Sequence, residues 1–175
     1  MQLDSLSQPT LIDLLVSFAD LEDWRGLARD LGDPIESFRL MDSLDKAIGP
    51  IVEEAGGIVV KTIGDAWLLA FPIEAADAGI RALLAVKEAV ERNLKERGHK
   101  NRLRVTAHAG SVVAGAFGAA GRLDIYGETI NAAASIGRGE HRGRFAISPE
   151  AFRSLKPDTR KLFRRHTPAI VYLAT

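Results

Sequence analysis

The stretch KTIGDAWLLAF, Lys61 to Phe71, ends as an apolar strand but opens with Lys61, Gly64 and Asp65, residue types that sheets disfavour. A second carboxylate, Asp20, closes the apolar run LIDLLVSFADL, Leu11 to Leu21. Each aspartate is an ordinary turn former when taken alone, and a wet hairpin tip accommodates lysine, glycine and aspartate without further explanation. Brought to one rim, however, two carboxylates repel unless a cation sits between them. Oxygen ligands with no cysteine or histidine near in sequence suit magnesium or manganese. Few protein carboxylates and open positions suit an ion shared with substrate phosphates. Whether Asp20 and Asp65 meet is a question for the elements that carry them.

Those elements follow from hydrophobic spacing. Leu11 to Leu21 reads as a strand. Ile35, Phe38, Met41, Leu44, Ile48 and Ile51 recur at helical spacing. Asp33 is placed to cap that helix with Pro34 at its first position, Gly56-Gly57 stops it, and Pro50 is expected to kink or divide it. Two strands, GIVVKTIG and DAWLLAF, meet at the Lys61–Asp65 turn, and a long helix follows from about Glu74 to Arg97. LRVTAHAG, Leu103 to Gly110, is a strand, followed by the Gly/Ala-rich SVVAGAFGAAGR. LDIYG is strand-like, ETINAAASIGRG a small-residue helix, GRFAIS a strand, SPEAFRSL a helix capped by Ser148, and AIVYLA the last strand. The order β-α-β-β-α-β predicts an α+β domain with a ferredoxin-like core, two helices on one face of an antiparallel sheet, plus added strands and helices. In that topology Asp20 at the end of the first strand approaches Asp65 at the hairpin tip.

Composition narrows the function. At 175 residues, 46% apolar and 26% charged, the chain is expected to form one globular domain over residues 11–175, with residues 1–10 as a disordered lead-in. Twenty-three basic and 23 acidic side chains cancel, which argues against binding nucleic acid or membranes by bulk electrostatics. The absence of cysteine removes disulfides and thiolate metal sites. No apolar run is long enough to insert into a bilayer and no basic secretion leader is present, so a cytoplasmic protein is expected.

SFADLEDW, GGIVVKTIGDAWLLAF, LRVTAHAGSVVAGAFG and LDIYGETINAAAS together resemble, in order and spacing, the catalytic domain of class III adenylate/guanylate cyclases, over roughly Leu11 to Ser148. The resemblance implies that Asp20 and Asp65 hold two Mg²⁺ or Mn²⁺ ions per site. It implies that Lys61 and Asp124 read the base and that Asn131 orients the ribose. A lysine donor meets adenine N1 and an aspartate acceptor meets the exocyclic amine, whereas guanine presents the reverse pattern; the pair thus favours ATP. It also implies a homodimer, because family members build each site from two subunits in a closed two-fold assembly.

Three departures stand out. The family arginine four residues after the asparagine is here Ser135, which has neither the charge nor the forked donors. Losing such an arginine costs roughly 10³–10⁵ in rate in other phosphoryl transfers. Arg138, three residues on, shares approximately that helix face and is a possible substitute. A small turn after the first metal aspartate becomes Asp23-Trp24-Arg25, where Asp23 brings negative charge near the phosphates and Arg25 offsets it. The tail FRRHTPAIVYLAT lacks the family's phosphate lysine, leaving Arg164 and Arg165, which read best as a solvated basic loop. His108 reads as structural.

The resemblance therefore implies an adenylate cyclase, ATP to 3′,5′-cyclic AMP and pyrophosphate, of low activity. The alternative is an inactive cyclase-homology domain kept for nucleotide binding, dimerisation or regulation.

Overall fold

The computed structural model describes residues 6, 8–136, 144–167 and 170–175. Strand β1 (Thr10–Leu21) is central, pairing antiparallel with β3 (Ala66–Pro72) on one side and β4 (Leu103–Phe117) on the other. Strand β2 (Ile58–Ile63) closes the hairpin with β3. The order β2-β3-β1-β4 is the expected ferredoxin-like core, and β6 (Phe145–Ile147), β8 (Val171–Ala174) and β7 (Phe163–His166) extend the sheet beyond β4. Strand β5 (Arg122–Tyr126) pairs with β4 off this path. The whole is an α+β sheet of eight strands.

Alternation along β1 decides what lies where, because successive side chains point to opposite faces. Leu15, Ala19 and Leu21 join Trp67, Leu69 and Phe71 of β3 in one core. That face is covered by α2 (Pro34–Glu54) through Leu40, Leu44, Ile48 and Val52, and by α3 (Ala76–Glu96) through Ile80, Leu83, Val86, Val90 and Leu94. Side chains of this size each contribute about 1.5–3 kcal/mol when fully buried. Trp67 is completely buried, yet its indole N–H donates to Asp45 Oδ1 at 2.8 Å, so the only polar atom of its ring is satisfied. On the opposite face Leu14, Val16, Leu68, Ala70, Val112, Ala114 and Ile125 pack with Ala133 of α4 (Glu128–Ile136). Gly110 lets α4 approach β4, since a Cβ there would lie 2.7 Å from Thr129 Oγ1.

Several expectations need amending. Asp33 does cap α2, accepting Ile35 N–H at 2.8 Å, but Pro50 does not divide the helix, which runs on to Glu54. Ile48 and Val52 are wholly buried on either side of the proline, and that packing carries the helix through the lost hydrogen bond. Strand β4 does not stop at Gly110; its Gly/Ala-rich half stays extended to Phe117 because β5 pairs with it from Val113↔Tyr126 to Phe117↔Arg122. A helix, α1 (Trp24–Leu31), forms where the resemblance implies only a phosphate-cradling turn. Trp24, Leu27 and Leu31, spaced i, i+3, i+7 with Gly32 after them, are its overlooked signature. Downstream, α5 (Pro149–Arg153) is capped by Ser148 as expected, and short α6 (Pro157–Arg160) follows. The FRRH segment is the edge strand β7 rather than a loop; Phe163 anchors it edge-on against Phe145 at 5.6 Å while Arg164 and Arg165 stay exposed. No helix among the described residues is long and apolar enough to cross a membrane.

Candidate active site

The pairing register puts Asp20 opposite Ala66 on β3 and opposite Arg104 on β4. Asp65 is the tip residue just before Ala66, and its backbone carbonyl accepts Leu21 N–H at 3.2 Å. The two carboxylates thus share one rim, and with Asp23, Trp24, Arg25 and Arg104 they line a cavity of about 600 Å³, within the usual size range for a small-molecule site. Burial is the main cause of a raised Asp65 pKa. The Asp20 charge raises it further, while a backbone N–H and the Arg104 and Arg25 guanidiniums work against the rise.

This electrostatic imbalance fits a cation. Among the described residues no cluster of three or more His, Cys, Asp or Glu could hold one outright, so an ion held by these two carboxylates would need further oxygen ligands from outside that cluster. Asp20 is not idle in the chain alone: Arg104 Nη2 donates to its Oδ2. Arg104 went unnoticed in the sequence, because only the β1–β4 register puts it beside the aspartate.

The chain leaves the rim through Asp23, the one non-glycine among the described residues with positive φ, at 52°. Its carboxylate accepts Gly26 N–H at 3.2 Å as the N-cap of α1. Gly26 is required by that arrangement, since a Cβ would fall 2.4 Å from Asp23 Oδ2. Asn101 Nδ2 donates to the Glu22 carbonyl at 2.9 Å and ties the turn to the start of β4. Asp23 lines the cavity as expected, but its carboxylate is engaged by the helix end, where a macrodipole offsets part of its charge.

A second cluster forms further along the hairpin. Strand β2 carries a bulge between Val59 and Lys61, so that Lys61, not Val60, stands opposite Leu68. Leu68 belongs to the core on the α4 side, and one residue of slip moves a side chain to the other face. The bulge therefore aims Lys61 toward β5, where Nζ donates to Asp124 Oδ2 at 2.6 Å. Asp124 is the more enclosed partner, 13% exposed against 40% for Lys61. The lysine Nζ also lies 5.8 Å from the centre of the Tyr126 ring.

Helix α4 presents Asn131 and Ser135 on one exposed face, four residues apart, with Ala133 sealed beneath. Asn131 Nδ2 donates to Glu128 Oε2 at 3.2 Å. The Ser135 hydroxyl turns back to the Ala132 carbonyl at 2.8 Å. Arg138 lies outside the described residues. Arg164 and Arg165 sit on β7, with β8 and β6 between them and β4, roughly 14 Å of sheet at ~4.8 Å per strand; within the chain they do not join the rim. His108 is held 3.6 Å from Glu150, and burial lowers its pKa against the pull of that carboxylate. It packs between β4 and α5, as a structural residue would.

The sequence profile of the adenylate and guanylate cyclase catalytic domain matches residues 8–172. An adenylate cyclase from Anabaena cylindrica is 28% identical over 133 residues, 70% of this chain and 26% of that protein, so the chain spans about a quarter of that relative. The adenylyl cyclase CyaB from P. aeruginosa superposes with a TM-score of 0.80 at 19% identity, covering 96% of both chains. A monomeric structure of a double mutant of the guanylyl cyclase domain of the RhoGC fusion protein from the aquatic fungus Blastocladiella emersonii gives 0.81 at 18% identity, covering 97% of this chain and 98% of that one. Such distant structural likenesses establish the fold, and the match over residues 8–172 establishes more: the chain belongs to the adenylate and guanylate cyclase catalytic domain family.

Proposed function

We propose that this protein is an adenylate cyclase that converts ATP to 3′,5′-cyclic AMP and pyrophosphate, working as a cytoplasmic homodimer in which residues 11–175 form one catalytic unit. The observation that carries the choice of base is the 2.6 Å Lys61–Asp124 pair. A lysine donor and a carboxylate acceptor held side by side match adenine N1 and its exocyclic amine; guanine would leave both unpaired at a cost in binding. The Anabaena relative is itself an adenylate cyclase, which favours the same reading.

Asp20 and Asp65 would hold two Mg²⁺ or Mn²⁺ ions, which lower the pKa of the ribose 3′-hydroxyl and neutralise charge on the phosphates. The chain's own part is positional. The Leu21–Asp65 backbone bond fixes the hairpin tip against β1, Arg104 holds Asp20 oriented until substrate arrives, and Asn131 offers its amide oxygen to the ribose. Asn131 and Ser135 face outward from α4, where a second copy of the chain can bring the two halves of each site together. A monomer is expected to be inactive.

The test is product formation from ATP and from GTP, with Mn²⁺ and then Mg²⁺, at a concentration where dimerisation is verified, with Asp65→Ala as control. Cyclic AMP formed by the wild type and lost in the control sustains the reading; cyclic GTP product in preference overturns the base assignment. One observation favours a second reading, a nucleotide-binding or dimerisation module without turnover: Ser135 supplies no charge and its hydroxyl is already engaged. Tight ATP binding by a confirmed dimer with no product would select it.

A further inference from the structure

With Ser135 neutral on α4 and Arg104 drawn to Asp20, the rim still contains a guanidinium that nothing else uses. Arg25 lies in the first turn of α1, exposed, and lines the same cavity as Asp20 and Asp65. No hydrogen bond or ion pair among the described residues holds it. A cation in the first turn opposes the macrodipole, and the nearest acid, Asp23 at the N-cap, has its carboxylate engaged by Gly26 N–H. Nor is the backbone beneath it loose: Asp23 caps Gly26 and Asn101 ties the Glu22 carbonyl.

We infer that Arg25 is a catalytic residue, supplying from the same chain as the two aspartates the positive charge that Ser135 cannot supply from α4. The inference rests on the cyclase reading above. In that reaction the ribose 3′-oxygen forms a bond to the α-phosphorus and its proton passes to water. The bond from the α-phosphorus to the oxygen bridging to the β-phosphate breaks, and its electron pair leaves with pyrophosphate. Negative charge grows on that leaving group, at the end of the substrate that enters the Asp20–Asp65 cavity. A forked guanidinium at the rim is matched to it in sign and geometry. The cation thereby moves from the ribose-binding half to the metal half of the site, while the charge balance around the phosphates is kept.

Arg25→Ala and Arg25→Lys test this directly, alone and with Ser135→Arg. Because Arg25 is exposed, Arg25→Ala should melt at the wild-type temperature. Its kcat should fall roughly 10²–10³-fold with a smaller change in KM. Arg25→Lys should recover part of the rate, since charge returns without the fork, and Ser135→Arg in the Arg25→Ala background should recover at least roughly tenfold. Calorimetry with Mn²⁺ gives a readout free of turnover: Arg25→Ala should bind ATP and inorganic pyrophosphate more weakly than wild type and adenosine equally well. Unchanged kcat together with unchanged pyrophosphate affinity overturns the inference, as does a rate lost on Arg138→Ala but not on Arg25→Ala. A wild type that makes no cyclic nucleotide refutes the cyclase reading, whereas weaker pyrophosphate binding by Arg25→Ala in that protein would still sustain the phosphate-binding role of Arg25.

Discussion

Two charged clusters lie on the same β2–β3 hairpin and are built on opposite plans. Lys61 and Asp124 are opposite charges in direct contact, one of them largely enclosed, and folding alone completes their pairing. At the hairpin tip Asp65 faces Asp20, like against like, and burial of Asp65 makes the conflict worse. Arg104 and Arg25 relieve it only in part, for the Asp65 pKa stays raised. Under the proposed function, a cluster that reads a rigid base edge gains from being set in advance, because the cost of ordering it has been met before binding. Under the same proposal, a cluster that holds cations between phosphates gains from residual negative charge, because only the arriving ions complete it. The contrast implies that substitutions in the first cluster should alter which nucleotide is chosen, and substitutions in the second whether anything happens to it.

The largest effect is expected from Asp20→Ala. It removes one of two carboxylates and a partner of Arg104, and several kcal/mol of transition-state stabilisation should go with them, roughly a 10³-fold or greater loss of kcat in a cyclic-nucleotide assay. ATP-over-GTP preference in whatever activity survives should be unchanged. An Asp20 variant that altered base choice would break the division between the clusters.

Asp124→Asn should do the reverse. It keeps the shape, removes the charge that pairs Lys61, and weakens the acceptor for an adenine amine. We expect the ratio of kcat/KM for ATP to that for GTP to fall by about 10²-fold, with turnover of ATP at saturation falling far less. Competition of the two nucleotides in one reaction measures the ratio directly.

The clusters also differ in how far the sequence revealed them. Asp20 and Asp65 were visible as carboxylates at the ends of apolar runs, Lys61 and Asp124 as a pair only through the family resemblance, and the ferredoxin-like order followed from hydrophobic spacing that long strands and helices average over many residues. What local pattern could not supply was register. Arg104 meets Asp20 only because β1 and β4 align Asp20 with Arg104. Lys61 reaches β5 only because one bulged residue reverses the face it occupies. Helix α1 was missed because eight residues give barely two turns of periodicity, and because its cap is an aspartate in a left-handed conformation that is strained for any residue with a Cβ. Ser135 was legible as a change of residue, but its back-bond to Ala132 was not.

Gly26→Ala probes the turn that carries Arg25 without touching either carboxylate. The added Cβ would meet Asp23 Oδ2 at 2.4 Å, and since the Asp23 side chain can rotate away, the expected loss is that of the N-cap, about 1 kcal/mol of stability. Chemical denaturation should register it as a lower midpoint with an unchanged slope. Base preference should again be untouched.

The smallest effect has the opposite sign, and for that reason tests the comparison most closely. Asp65 in the folded chain has a pKa above its ordinary 3.8. The native state therefore holds that proton more tightly than the unfolded chain, and the stability it contributes is fully present below the ordinary value and lost as pH rises through the raised one. At neutral pH the ionised carboxylate works against the metal-free fold. Asp65→Asn keeps the shape without the charge, so the metal-free variant should melt slightly higher than wild type at pH 7. The gain should stay below about 1 kcal/mol, because the group is only half-buried and solvent screens it, and it should shrink as the pH is lowered toward 4. Saturating Mn²⁺ should reverse the ranking, raising the wild type by mass action and leaving the variant behind. An Asn variant less stable than wild type without metal would mean that Asp65 is already neutralised within the chain, and that the hairpin tip is a finished ion pair like the one formed by Lys61 and Asp124.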